Sequence, residues 1–384
     1  MGEVYDYAIV GAGCSGLSLA VELINKISDR TRIALVDSRK SFVMDRIWCF
    51  WNTMPHQFSQ AVQHQWNRWS IRYNGRDVLH QSTRYPYQYL PADAFYNTAF
   101  NVIDRSPTVD LFLGTNATHI EENESRATVI TDKGKISARV VFDGRNLTAT
   151  LHKMDFLLQH YTGQRIRSQR PIFDPETVTL MDFDISQQHG ISFVYVLPFS
   201  EYEALVEPTV FSHFPFESAV YVEMIRNYMT KRFDAEDYEV LFQEQGVIPM
   251  TTELIPPVKP TRVIPIGTAA GMVRGSTGYG FLNIQNWNRA VVEYVIDNKY
   301  NRLEKSRSRL SVYLDRIFLA FLEKHPSEAP GMFYNLFCRV PANRLVRFLA
   351  DKATSMDIAS VIIAMPKLPF IQQAVNYLTA KEAV

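Results

Sequence analysis

Gly11, Gly13 and Gly16, followed about twenty residues on by Asp37, are the first residues in the chain with a chemistry attached. In G-x-G-x-x-G the first glycine makes a tight turn. The second lets the backbone approach a pyrophosphate, and the third lets a helix pack close to the preceding strand. Ser15 lies inside this turn, and the helix that begins there offers free N–H groups to phosphates. Asp37 is placed to accept hydrogen bonds from a ribose. Far along the chain a second glycine-rich stretch, VRGSTGYGFLNIQNW (273–287), follows a short apolar run at Val263–Ile266 that ends in Gly267. A helix starting at Gly278–Gly280 would aim its N–H groups at the pyrimidine edge of a flavin and favour its anionic reduced form. Gly271, Thr277, Gly278 and Tyr279 are the candidate contacts, with Asp143 of a third signal, Asp143-Gly144-Arg145, which closes the run Val140–Phe142. An extended dinucleotide needs this second, distant region, so the pattern favours FAD over NAD.

These residues require a particular set of elements. Tyr7–Val10 reads as a buried parallel strand, and Leu17, Leu19, Ala20, Leu23 and Ile24 recur at helical spacing; a second strand then ends at Asp37. The expected fold is therefore α/β, with a Rossmann-like FAD-binding domain assembled from residues 1–70, 125–160 and 260–300. Residues 71–124 and 161–259 alternate short strand-like runs with turns and are expected to form a mainly antiparallel substrate domain. Residues 301–384 show apolar residues at helical spacing, as in SRLSVYLDRIFLAFLEKH, and read as a helical C-terminal region. The 384 residues, 46% of them hydrophobic, are enough for such cores. Forty basic against forty acidic residues give no support to nucleic-acid binding. Three scattered cysteines imply no disulfide framework, and the histidines lack metal-ligand spacing, so no metal site is expected. The start of the chain lacks the basic and apolar regions of a signal peptide, and no apolar run reaches the ~18 residues that span a bilayer.

Taken together, the motifs resemble those of the lycopene cyclase family, flavoproteins related to the aromatic hydroxylases and geranylgeranyl reductases. The resemblance covers nearly the whole chain. It rests on Gly11-Ala12-Gly13-Cys14-Ser15-Gly16-Leu17, Asp45-Arg46-Ile47-Trp48-Cys49-Phe50, Asp143-Gly144-Arg145, Met181-Asp182-Phe183, FVYVLPFS (193–200), LVEPT (205–209), GVIPM (246–250) and GTAAGMVRGSTGYGF (267–281). LDRIFLAFLEK, VPANRLVRFLADKA and MPKLPF near the C-terminus add to it. It implies cyclisation of the open ψ ends of lycopene to β-ionone rings, initiated by a proton, dependent on reduced FAD and without net redox change. NAD(P)H supplies the reduction.

The resemblance places the essential acid at Glu207, within VEPT. A carboxyl among Leu205, Val206 and Pro208 would hold its proton near neutrality, the state a general acid needs. Asp182 is the matching second candidate, and Arg46 and Trp48 are placed near the isoalloxazine. The chain departs from the family twice. Pro208 stands where many members carry a second acid, and Arg274-Gly275 stand where His-Pro is frequent. Arg274 either touches flavin or phosphate or is solvated. A carotene substrate resides in lipid, so the resemblance implies a cytoplasmic protein, peripheral on the inner membrane face. The stretch SVIIAMPKLPFIQQAVNYLTAK, with Lys367 and Lys381, either docks on that surface or closes the core. The competing reading is an FAD-dependent monooxygenase or polyprenyl reductase. Gly267-Thr268, where hydroxylases show Gly-Asp, argues against it.

Overall fold

In a computed structural model of the chain, residues 4–145, 156–253, 262–296 and 307–382 are described. Strand β1 (Val4–Val10) pairs in parallel with β2 (Ile33–Asp37) on one side and β11 (Gly134–Asp143) on the other. The sheet continues from β2 to β8 (Val109–Leu113) and from the end of β11 to β17 (Val263–Pro265), all parallel. Strands β9 (Ala117–Glu122) and β10 (Ala127–Thr131) add an antiparallel pair beside the first half of β11. β2 is buried throughout, as a parallel strand covered on both faces must be. One face carries helices α1 (Cys14–Ile24), α2 (Ala92–Ile103) and α4 (Phe281–Ile296), whose apolar residues meet Ile9, Leu35 and Phe142. The other face is closed by Val129 and Ile136 against Ala8, Val36 and Val141.

The second sheet runs in the order β16 (Tyr238–Pro249), β12 (Leu158–Ser168), β15 (Glu203–Ser212), β14 (Ile191–Pro198), β13 (Thr177–Asp182), β5 (Arg68–Tyr73), β6 (Arg76–Gln81). It is antiparallel except where β13 meets β5. One face packs Val194, Val196, Ala204 and Val206 under helix α3 (Ser218–Phe233). The opposite face looks toward the first sheet and the C-terminal helices. A small antiparallel sheet, β3 (Ile47–Trp51), β7 (Tyr87–Pro91) and β4 (His64–Trp66), bridges the two. The expected α/β fold with an antiparallel second sheet and helical C-terminus is thus present. Residues 71–124, read from sequence as one piece of the substrate domain, divide among the sheets: β6 enters the second, β7 the third, and β8 and β9 the first. Alternation marks a strand but not its neighbour, so pairing partners that far apart were not legible.

Helices α5 (Arg309–Lys324), α6 (Ala329–Arg339), α7 (Ala342–Leu349), α8 (Ser355–Ala364) and α9 (Lys367–Glu382) complete the chain. Their inner residues Phe321, Phe333, Leu336 and Val361 join Trp51, Trp69, Phe193 and Phe211 in one core. Among the described residues no helix is long and apolar enough to cross a membrane.

Candidate active site

The glycine turn after β1 is built as its spacing requires. A Cβ on Gly16 would sit 1.8 Å from the Gly11 carbonyl oxygen, so only glycine lets α1 start there. Around Gly13 nothing lies within 4 Å of that position, which leaves room for a ligand against the helix start. Gly13 is the N-cap and has no side chain to satisfy the first-turn N–H groups. Ser15 ties this turn to the second glycine region: its carbonyl accepts from Asn288 Nδ2 at 2.8 Å, and a Cβ on Gly267 would lie 3.1 Å from Ser15 Cβ. Asp143, at the end of β11, is clamped by Arg145 at 2.8 and 2.9 Å, and its carbonyl receives the Ile266 N–H at 2.9 Å. Gly267, Gly271 and Gly278 all hold positive φ, at 64°, 70° and 71°. Open space, free donors and left-handed turns fit a dinucleotide pyrophosphate.

Asp37 is where expected but is already engaged. One of its oxygens accepts from the Ala12 N–H at 2.6 Å and from Arg39 Nη2 at 3.1 Å. The other accepts from the Arg39 N–H at 2.8 Å and Nε at 3.0 Å. Burial opposes its ionisation, yet Arg39 and these N–H groups hold its carboxyl below the usual range. A carboxylate has about four lone-pair sites, so a ribose hydroxyl reaches it only where Arg39 gives way.

The turn at 273–280 differs from expectation at Arg274. Neither solvated nor directed at a phosphate, Arg274 is 2% exposed and donates to Asp315 at 2.8 and 3.1 Å and to the Phe348 carbonyl. Ser276 adds a hydroxyl to Asp315 at 2.7 Å, and Arg307 bridges Asp315 to Asp351. Burial would push Asp351 up, but Arg274 and Arg307 hold its carboxyl below the usual range. Backbone bonds from Thr277 and Gly278 to the Arg274 carbonyl, and from Arg274 to the Tyr279 carbonyl, close the turn. Arg274 is therefore a structural ion-pair partner that fastens this turn to α5 and to the end of α7.

Beside the turn lies a cavity of about 460 Å³, walled by Trp51, Phe193, Tyr195, Phe211, Tyr279 and Phe333 among others. Tyr279, expected as a flavin neighbour or a core residue, lines it and packs edge-on to Trp51 at 5.4 Å. Burial pushes the hydroxyls of Tyr87, Tyr195 and Tyr279 up, so they stay protonated. Glu207 sits one strand from Tyr195, its register partner across β14 and β15. It shares its face with Leu205 and Phe211 of the cavity-side core. Burial pushes its carboxyl well above the usual range, and the charge of Glu244 adds to this, while a Thr209 hydroxyl at 3.3 Å counters it. Some surface remains open at Glu207, which is half-buried.

The other expected residues separate. Asp182 does not join Glu207. Its carboxylate turns to the α3 side, accepting from Tyr228 at 2.9 Å with Arg232 at 3.7 Å. Trp48 packs against Phe95 and Phe281 at 5.1 and 6.0 Å within the first core. Arg46 pairs with Asp45 at 3.1 Å and lies within electrostatic reach of Cys14, Tyr161 and Glu244, between the glycine turn and the second sheet. Sequence reading missed Glu244 and Asp315. Trp51 Nε1 is buried without a partner beside the cavity. Nothing in spacing links Glu244 to Glu207 or Asp315 to Arg274, because each pair meets only through tertiary structure.

The family model described as lycopene cyclase protein matches residues 6–375. A lycopene beta-cyclase from Pantoea ananas is 23% identical over 96% of this chain and 96% of its own length. Another, from Pseudescherichia vulneris, is 22% identical over 95% of each chain. Among solved structures, a geranylgeranyl bacteriochlorophyll reductase-like protein from Thermoplasma acidophilum superposes with a TM-score of 0.63 at 11% identity, over 98% of this chain and 99% of that one. HpxO of Klebsiella pneumoniae, solved with FAD and uric acid, gives 0.62 at 13% identity over 94% and 97%. At such identities the structures speak to the fold.

Proposed function

The chain belongs to the lycopene cyclase family, and from that premise we propose that it is a lycopene β-cyclase in which Glu207 is the general acid. Glu207 protonates the terminal double bond of a ψ end group. The internal double bond attacks the resulting tertiary cation and closes the six-membered ring. Loss of a ring proton then gives the β end group, so the proton count is unchanged and no electrons are consumed. Each of the chain's contributions is local. Burial keeps the acid loaded, the apolar wall excludes water that would quench a cation, and the faces of Trp51 and the tyrosines stabilise positive charge. Gly11, Gly13, Ser15, Asp143 and the 267–279 turns would hold FAD, which in its reduced form would supply negative charge, with NAD(P)H as the reductant. The observation that carries the reading is the Glu207 carboxyl, set one strand behind the inner wall of an aromatic cavity where burial pushes it well above the usual carboxylate range.

The substrate's lipid residence gives the C-terminal helices a role. Ile362, Ile363, Lys367 and Ile371 line the cavity's outer part, and Ile363 and Leu368 are 70% and 82% exposed. This apolar rim docks on a membrane surface, with Lys367 toward the headgroups. Lys381, the second expected cation, has a side chain outside the described residues. The test is conversion of lycopene to a ring-ended product by the purified FAD-loaded protein under reducing conditions. Glu207→Gln should lower the rate by about 10²–10⁴-fold with FAD still bound. Continuous nicotinamide consumption with no isomeric product would instead assign a redox enzyme.

A further inference from the structure

We propose that Glu244 is a positioning residue for the acid: set across Gly163 from Glu207, it extends on the alkaline side the range over which Glu207 keeps its proton, without touching the polyene. This rests on the cyclase reading above.

The placement follows from register. On β12, Gly163 is paired with Glu244 of β16, and the neighbouring pairs Tyr161–Thr209 and Gln164–Val206 put it opposite Glu207 of β15. The three positions form one row across three strands, with Cα atoms of the outer two roughly 10 Å apart, and their side chains share a face. The central one has no side chain. A Cβ on Gly163 would lie 3.1 Å from Glu207 Oε2 and 3.4 Å from Glu207 Cβ, so the Glu207 carboxyl already leans across the gap that glycine leaves. Glu244 is buried on the far side of that gap. The chain thus places a second buried carboxyl two strands from Glu207, across β12.

The surrounding groups decide which carboxyl keeps the proton. Facing Glu207 are Thr209 from its own strand, Tyr161 from β12, Tyr195 from β14, Cys49 from β3, and Glu244. Facing Glu244 are Arg46, Asp45 and the Ile47 N–H from the segment entering β3, with Tyr161, Cys49 and Tyr89. Arg165, which faces Tyr89, is paired with Glu203. Burial holds the tyrosines and Cys49 protonated, so the charges in play are Arg46, Asp45 and the two glutamates. Burial raises Glu244 to about 8, and the Ile47 N–H and Arg46 favour its ionised form. Glu207 has only a hydroxyl on the same side of the balance. Once Glu244 carries charge, loss of the Glu207 proton would put two negative charges across one glycine. The proton stays on the member next to the cavity.

Infrared titration of protonated carboxyls in the FAD-loaded protein, beside the pH profile of cyclisation, tests this. Wild type should show two separated steps. Glu207→Gln and Glu244→Gln should each leave a single step, displaced about one pH unit or more below the upper wild-type step. In Glu244→Gln the basic limb of kcat should move down equally with KM unchanged, and Glu244→Asp should restore most of it. In Glu244→Gln, a step that stays at the upper wild-type position, with a uniform fall in activity across pH, overturns the proposal. If Glu244→Gln fails to fold, Glu207→Gln keeps the proposal falsifiable: the one step it leaves should stand at the lower wild-type position, and a step left at the upper position overturns the assignment of the retained proton to Glu207. Displaced steps in a protein that forms no ring-ended product would sink the cyclase reading and leave the pair standing. Unmoved steps in a working cyclase would do the reverse.

Discussion

A carboxyl that keeps its proton in neutral solution leaves a thermodynamic trace. Glu244 rises from an ordinary 4.5 to about 8 in the folded protein, first through burial. Between those values the folded state binds more protons than the unfolded one, so stability falls as pH rises through that window. Glu207, raised in the same direction, adds to the slope. The urea midpoint of the wild type should therefore drop more steeply from pH 5 to pH 8 than that of Glu244→Gln, with FAD saturating in both. Parallel curves would mean that Glu244 titrates normally. Glu207 was singled out because VEPT resembles a family motif, and the structure places it on the face of β15 shared with Leu205 and Phe211. The matched Asp182 lies across the sheet because the strand bulges between Thr179 and Asp182, which no linear pattern shows. Glu244, in FQEQG, reads as one more polar residue of an alternating strand. Only pairing to Gly163 reveals where it points.

The elements were easier to read than their attachments. The strand, glycine turn, helix and acid at the start, and the second glycine turn running into α4, follow from steric needs that only particular residues meet. Gly16→Val should abolish FAD binding, as followed by flavin absorbance, because its first carbon already collides with the Gly11 carbonyl. What the motif did not disclose is the fastening of the second turn. Asp315 of α5 is buried with Arg274, Arg307 and Ser276 around it. Removing it leaves two buried guanidiniums short of their shared anion. Asp315→Ala is expected to destabilise by about 3–5 kcal/mol in denaturant unfolding, and to weaken FAD binding through the 273–280 turn. If the loss is under 1 kcal/mol, the ion pairs do not hold that turn. A sequence places Arg274 beside glycines that suggest phosphate; its partner 41 residues away decides otherwise.

At the scale of the whole molecule, one cavity runs from the aromatic strands of the second sheet to the C-terminal helices. Its inner wall carries Tyr195 and Tyr279, and its outer part includes residues of α8 and α9, where Ile362, Ile363, Leu368 and Ile371 are exposed. Burying such a side chain is worth about 1.5–3 kcal/mol, whereas leaving several in water gains nothing for the fold. On the reading proposed above, docking on a lipid surface would resolve that cost and would bring one end of a polyene toward the acid while the remainder stays in the bilayer. The composition made a spanning helix untenable but left the C-terminal stretch undecided between core and surface. The structure puts Val361, Ala364 and Met365 of this stretch in the core and leaves Ile362, Ile363 and Leu368 exposed. Ile363→Asp with Leu368→Asp should reduce co-flotation with phosphatidylglycerol-containing vesicles at least tenfold, while FAD binding and the unfolding midpoint stay near wild type. Turnover of vesicle-borne lycopene should fall with it, and detergent-solubilised lycopene should still be converted. Undiminished flotation in the double variant would move the membrane contact to another face and detach it from the cavity mouth.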